Sequence, residues 1–151
     1  MASITITLDA DQAQAALDAL QAANLNLSDA MDQIGEYMLL QTEERFKRQI
    51  DPEGNPWAPL SPEWLKYKER KNKILKILQM NGDLLRTIIY QSSPRSVEIG
   101  TNRIYGNVHQ FGYQDSARGI NIPARPYLGV SPEDEIEIAA ILEDYLRATL
   151  P

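Results

Sequence analysis

The chain begins with strict alternation. Ile4, Ile6 and Leu8 alternate with Ser3, Thr5 and Thr7, a period of two that predicts a strand with one apolar face. Asp9, with Gln12 three residues on, reads as a helix cap, and an Ala-rich helix follows to about Ala23 with Leu17 and Leu20 inward. After a break at Asn24–Leu27, Ser28 caps a longer helix. Its apolar positions Met31, Ile34, Met38 and Phe46 recur at helical spacing, and a run to Gln49 makes it about 30 Å long. Gly35 weakens this helix by about 1 kcal/mol relative to alanine and invites another element to approach closely.

The pattern then breaks. Asp51 to Pro62 holds four prolines and one glycine in twelve residues, which excludes helix and central strand and predicts a stiff loop around Trp57. Ser61 caps a short helix with Pro62 at its first position. Trp64, Leu65 and Tyr67 form its apolar side, and lysines form the other. Lys71-Asn72-Lys73 reads as a polar tip, Ile74–Met80 as an apolar run, and Asn81-Gly82 as a turn. Asp83 caps one helical turn with Leu84 and Leu85.

Thr87–Tyr90 and Val97–Ile99 are rich in strand formers and flank Ser92-Ser93-Pro94-Arg95, which predicts a hairpin. Ile104–Gln110 fits helix or strand. Gly112–Asn121 reads as a loop with a polar middle, and Ile122–Pro126 is extended because each residue before a proline is pushed out of the helical region. Ser131-Pro132 repeats the Ser61-Pro62 device. It starts a last helix with the stripe Ile138, Ile141, Leu142 and Tyr145 and an acidic first turn that suits the helix dipole. The order predicts one α+β domain over residues 1–151: a small antiparallel sheet with about four helices, a long second helix and a C-terminal helix.

Composition changes this picture little. The chain has 151 residues, enough for one domain with its own core. It has no cysteine, which excludes disulfides and thiolate metal sites. The start, Met1-Ala2-Ser3-Ile4-Thr5, lacks the basic flank and apolar block of an export leader, and no apolar run approaches the roughly 20 residues that span a bilayer. A soluble protein with no membrane partner is expected.

Charge adds more. A formal net charge of −6 makes neither nucleic acid nor anionic membrane the default partner. The charge is uneven. Lys66, Lys68, Arg70, Lys71, Lys73 and Lys76 cluster with one acid, Glu69; Glu133, Asp134, Glu135, Glu137, Glu143 and Asp144 cluster with no base. These are two solvated helix faces, or two faces that meet between copies of the chain.

Candidate chemistry is sparse. The one histidine, His109, cannot form a His–His metal site and has no nucleophile in a recognisable motif; it reads as a structural histidine hydrogen-bonded in a turn, or as an interface residue. Glu43-Glu44 are adjacent on a helix and diverge. Gly100-Thr101-Asn102 lacks the Lys-Ser/Thr of a phosphate loop. No cofactor and no enzymatic activity are expected. Lys66–Lys76 interleaved with Trp64 and Tyr67 keeps an alternative open, contact with nucleic acid.

Four segments taken together carry a resemblance. They are Phe46–Ser61 with Asp-Pro-Glu-Gly-Asn-Pro-Trp at its centre, Ile77–Leu85, Val97–Gly112 ending in Val-His-Gln-Phe-Gly, and Ile122–Ser131 reading Ile-Pro-Ala-Arg-Pro-Tyr-Leu-Gly-Val-Ser. In this order and spacing, across about residues 4–148, the chain resembles the phage virion morphogenesis family, the tail-completion proteins of Mu-like phages and prophages. It departs at Met80-Asn81-Gly82, where a Thr-Gly-like turn is typical, and at Tyr113, where a second glycine is common; both leave local loop shape open.

The resemblance implies a structural, non-enzymatic protein of the virion tail or neck, present in the host cytoplasm during assembly. It implies a ring of identical copies, six by tail symmetry, at the head-proximal end of the tail, there to permit head–tail joining. Its partners would be itself, the tail tube or tail terminator, and neck or connector proteins. The alternative places it at the head–tail channel, touching nucleic acid through Lys66–Lys76. Candidate interface residues are Trp57, Trp64, Lys66, Lys71, Lys73, His109, Phe111, Arg125 and Tyr127. Trp, Tyr and Arg dominate interface energies, and stiff loops lose little entropy on docking. Trp57 packed on the hairpin and Arg125 capping a helix end are the internal alternatives.

Overall fold

The structure, a computed structural model, describes residues 2–7 and 26–149. The helix expected from Asp9 to Ala23 lies outside them. The alternating start forms strand β1 (Ala2–Thr7), and the predicted hairpin forms β2 (Ile88–Ser92) and β3 (Ser96–Thr101). The three make an antiparallel sheet in the order β1-β3-β2, with Ile4 opposite Ile99 and Tyr90 opposite Ile99 on the other side. Val97, Ile99 and Thr101 face inward from the central strand while Glu98 faces water. That period of two fixes the register, since a one-residue slip would turn all three outward.

Helix α1 (Ser28–Arg48) covers the inner face. Ala30, Met31, Ile34, Met38, Thr42 and Phe46 are buried, a helical stripe that the sequence spacing anticipated. Gly35 is where the sheet comes closest: a Cβ there would sit 2.3 Å from the Tyr90 ring. Ser28 is not the cap expected of it. It is the first helical residue, and the side chain of Asn26 accepts its N–H at 3.0 Å. The helix ends at Gln49 in the left-handed region, φ 57°. Gln49 is held by two long-range bonds: its carbonyl accepts from Trp57 N and its side-chain Oε1 from Ile77 N.

The proline-rich stretch is a rigid turn. The Asp51 carboxylate accepts the backbone N–H groups of Glu53 and Asn55, and Ile50 bridges Pro56. Helix α2 (Pro62–Arg70) starts as expected, with Ser61 Oγ accepting the Trp64 N–H at 3.2 Å. The single turn α3 (Asp83–Arg86) departs from expectation. Gly82 is its cap, and Asp83 instead pairs with Arg86 at 2.8 Å.

The ambiguous Ile104–Gln110 stretch is helical: α4 spans Tyr105–Phe111. The stretch expected as a loop, Gly112–Asn121, contains a second hairpin, β4 (Tyr113–Asp115) paired with β5 (Ile120–Ile122). Its turn is closed by Asp115, whose side chain accepts N–H bonds from Ala117 and Arg118, and by Gly119 at φ 65°. Such Asx turns are encoded by one residue, which period counting does not see. Residues 123–131 run extended into the last helix, α5 (Pro132–Thr149). Ser131 and Asp134 cap its start reciprocally, at 3.0 and 2.9 Å. The architecture is α+β, as the order of elements predicted.

Candidate functional site

Two regions flank the stretch from His109 to Val130, and they differ in kind. The first is closed. Phe46, at the end of α1, meets Trp57 edge-on at 5.3 Å and Tyr127 at 5.6 Å, all three buried. Edge-to-face aromatic pairs add about 0.5–1.5 kcal/mol each beyond the area they bury. Trp57 Nε1 donates to the Pro126 carbonyl at 2.7 Å. Arg125 donates from Nε to the Ala58 carbonyl at 2.7 Å and from Nη2 to the Pro59 carbonyl at 3.0 Å. Tyr127 donates its hydroxyl proton to the Gly106 carbonyl, and Gln110 Oε1 accepts the backbone N–H groups of Tyr127 and Leu128. Each polar end reaches a main-chain partner on another segment, so the two proline-rich segments are laced to each other and to α4.

A buried ion pair completes this frame. Arg45 donates to Asp134 at 2.6 Å and to the Gly129 carbonyl at 2.8 Å, while Tyr37 donates its hydroxyl proton to the other Asp134 oxygen at 2.9 Å. Burial lowers the affinity of the Arg45 guanidinium for its proton, and the adjacent Asp134 works against that. The Tyr37 hydroxyl is pushed up to about 12, by burial first and then by its bond to Asp134. The pair ties the long helix to the start of the last one.

The second region is open. A groove of about 920 Å³ lies between α2, the turn before α3, α4 and the segment from β5 to Arg125. Trp64, Met80, Tyr105 and Ile122 give it apolar walls, and Lys68, His109 and Arg125 lie along it. Lys68 is buried, and its ammonium donates to the Lys76 and Gln79 carbonyls at 2.9 and 3.0 Å. Among the described residues, neither Lys68 nor Arg125 meets a carboxylate. Burial lowers the proton affinity of both. His109 is not in a turn but within α4. Its Nδ1 is buried with no hydrogen-bond partner among the described residues, its ring meets Tyr105 edge-on at 6.0 Å, and burial and then Arg125 depress its pKa.

The nine residues read from the sequence as interface candidates separate along this line. Trp57, Arg125 and Tyr127 are interior to the chain and hold its shape, and Arg125 also reaches the groove. Trp57 packs edge-on against Phe46 within the core that the hairpin residues share, and Arg125 ties down the 58–59 carbonyls rather than capping a helix. Trp64 is 42% exposed on the groove wall, stacked on Tyr67 at 5.0 Å. Lys66 and Lys71 are exposed; Lys73 donates to the Asn81 side chain at 2.8 Å. Phe111 is 72% exposed at the end of α4, well outside the frame.

The charged stretches each lose a member to the interior: Lys68 from the basic one and Asp134 from the acidic one. Neither was singled out by sequence. Lys68 had a signal, since it lies one turn after Trp64 on the same helix face. Asp134 had one in its three-residue spacing from Ser131. Among the described residues no cluster of His, Asp and Glu has the grouping of a metal site, and no helix is long and apolar enough to cross a membrane.

Against known proteins, the profile of the phage virion morphogenesis family matches residues 8–147. The chain is 35% identical over 117 residues to the Escherichia phage Mu protein named "Putative capsid assembly protein G", covering 75% of each chain. It is 33% identical over 87 residues to "Mu-like prophage FluMu G protein 2" of Haemophilus influenzae, covering 57% of this chain and 61% of that one. A protein of Methanocaldococcus jannaschii is 28% identical over 100 residues, covering 64% of this chain and 71% of its own. No solved structure matches the chain significantly.

Proposed function

The chain belongs to the phage virion morphogenesis family, and from that premise we propose that it is a structural, non-enzymatic component of the tail or neck. In this reading it assembles as a ring of identical copies at the head-proximal end of the tail, against the tail tube or terminator on one side and neck proteins on the other, and so permits head–tail joining. The observation that supports the ring is the presence of two unlike faces on one chain, an apolar groove carrying cations and, on α5, an exposed acidic helix face. A ring needs such heterologous faces. The phage Mu relative carries capsid assembly in its name, which supports the class of role.

Contact with nucleic acid through Lys66–Lys76 has less support. Lys68 points inward, Lys73 is engaged by Asn81, and the chain as a whole is acidic. Disruption of the gene in its phage, with complementation, tests the proposal. Lysates with filled heads and separate tails, rejoined when the protein is supplied, are the expected result. Normal joined particles without the protein would overturn it.

A further inference from the structure

The groove and the last helix fit each other. Lys68 and Arg125 are among the most buried polar residues of the chain, at 2% and 7% exposure, and the protein supplies no carboxylate to either among the described residues. Buried cations are normally paired. Carbonyl oxygens solvate these two, yet an ammonium has three donors and a guanidinium five, so donors remain on both. The groove they border is walled by Trp64, Tyr105 and Ile122. It therefore suits a ligand with an apolar anchor and negative charges beside it.

Helix α5 presents that pattern on its outer side. Its inner side is used: Asp134 and Ile138 are buried, and Tyr37 and Arg45 hold Asp134. On the opposite side Ile136 is 72% exposed, an isolated large apolar side chain on the most acidic segment of the chain. Helical geometry places Glu133, Glu137 and Asp144 in a row along one flank of Ile136. All three are exposed.

We infer that the occupant of the groove is the outer face of α5 from a second copy of this chain, with Ile136 seated between the aromatic walls and the Glu133–Glu137 flank turned toward Lys68 and Arg125. This deepens the ring reading and rests on it. It relocates the basic side of the contact from Lys66, Lys71 and Lys73 to the groove. A groove-to-helix contact joins two different faces, so it propagates from copy to copy and closes only as a ring.

The absence of cysteine allows a direct test. Three exposed positions are used, so that folding is not at risk and the Ile136 anchor is kept: Ala139→Cys beside Ile136 on α5, Asn121→Cys on the groove lip, and Arg95→Cys in the β2–β3 turn, at the far end of β3 from α4. Copies carrying one cysteine each are mixed in pairs and treated with a short bis-maleimide, with sedimentation run in parallel. The expected result is that A139C couples to N121C about a hundredfold faster than to R95C, as an effective concentration set by contact requires, and that Glu133→Lys with Glu137→Lys removes the difference. Equal coupling rates in a sample that sediments as an oligomer overturn this contact and leave the ring standing, with the groove assigned to another partner. Equal rates in a sample that stays monomeric overturn both.

Discussion

The frame around Phe46 and the groove beside it share residues yet obey opposite rules. In the frame, every long polar side chain ends on a partner: Trp57 on Pro126, Arg45 on Asp134, Tyr127 on Gly106. In the groove, Lys68 and Arg125 keep donors in reserve, His109 Nδ1 has no hydrogen-bond partner among the described residues, and Trp64 stands partly in water. Arg125 belongs to both, with its donated bonds in the frame and a place on the lining of the groove. The contrast teaches that a laced segment, 123–131, lets an adjacent surface stay unsatisfied without collapsing. A site built for assembly has to hold its shape before the partner arrives.

The largest effect is expected where the frame is cut. Asp134→Ala leaves the Arg45 guanidinium buried without its carboxylate, and denaturant unfolding should show a loss of about 3–5 kcal/mol. Trp57→Phe keeps the ring contact with Phe46 but removes the donor to Pro126; a loss of about 1–3 kcal/mol is expected by the same assay. If either variant were as stable as the parent while losing assembly, the division between frame and groove would be wrong.

Smaller effects sharpen the other side. Trp64→Ala removes a groove wall that is partly in water and loses its stack on Tyr67, so stability should fall by only about 1 kcal/mol. Its sedimentation should shift toward the monomer. Unchanged assembly would detach the groove from the contact. The smallest effect is a slope with pH. His109 has its proton affinity depressed in the folded chain, by burial first and then by Arg125, so as pH falls through the unfolded value of about 6.5 the unfolded state takes the proton first. Stability should therefore decline from about pH 7 toward pH 5.5 and level off once the folded site also protonates. As His109 is the chain's one histidine, His109→Gln should flatten that part of the profile.

Most of the fold was legible in the sequence because it rests on period and punctuation. The stripe Met31–Ile34–Met38–Phe46 and the two Ser-Pro starts are written as spacing. The β4–β5 hairpin was not legible, since its strands have three residues each and its turn depends on one Asp115 side chain. Ser28 and Asp83 were expected as caps, yet Leu27, with the Asn26 side chain accepting from Ser28 N–H, and Gly82 take those places; a cap shifts by a residue or two at little cost. The site was half legible. Trp57 and Arg125 stood out by type, and their inward direction came only with the fold. Lys68 was hidden among lysines that face water, because burial of one basic residue in six depends on tertiary neighbours and not on composition.

Hydrogen–deuterium exchange on the monomeric and the assembled protein tests the central claim most directly. The account predicts that assembly slows exchange along the groove, in α4 and in residues 78–84 and 120–123, and on α5 around Ile136. It predicts little change in the frame segment 126–131, which is already bonded inside one copy. New protection confined to the frame, or an assembled form whose groove amides exchange as fast as the monomer's, would contradict it.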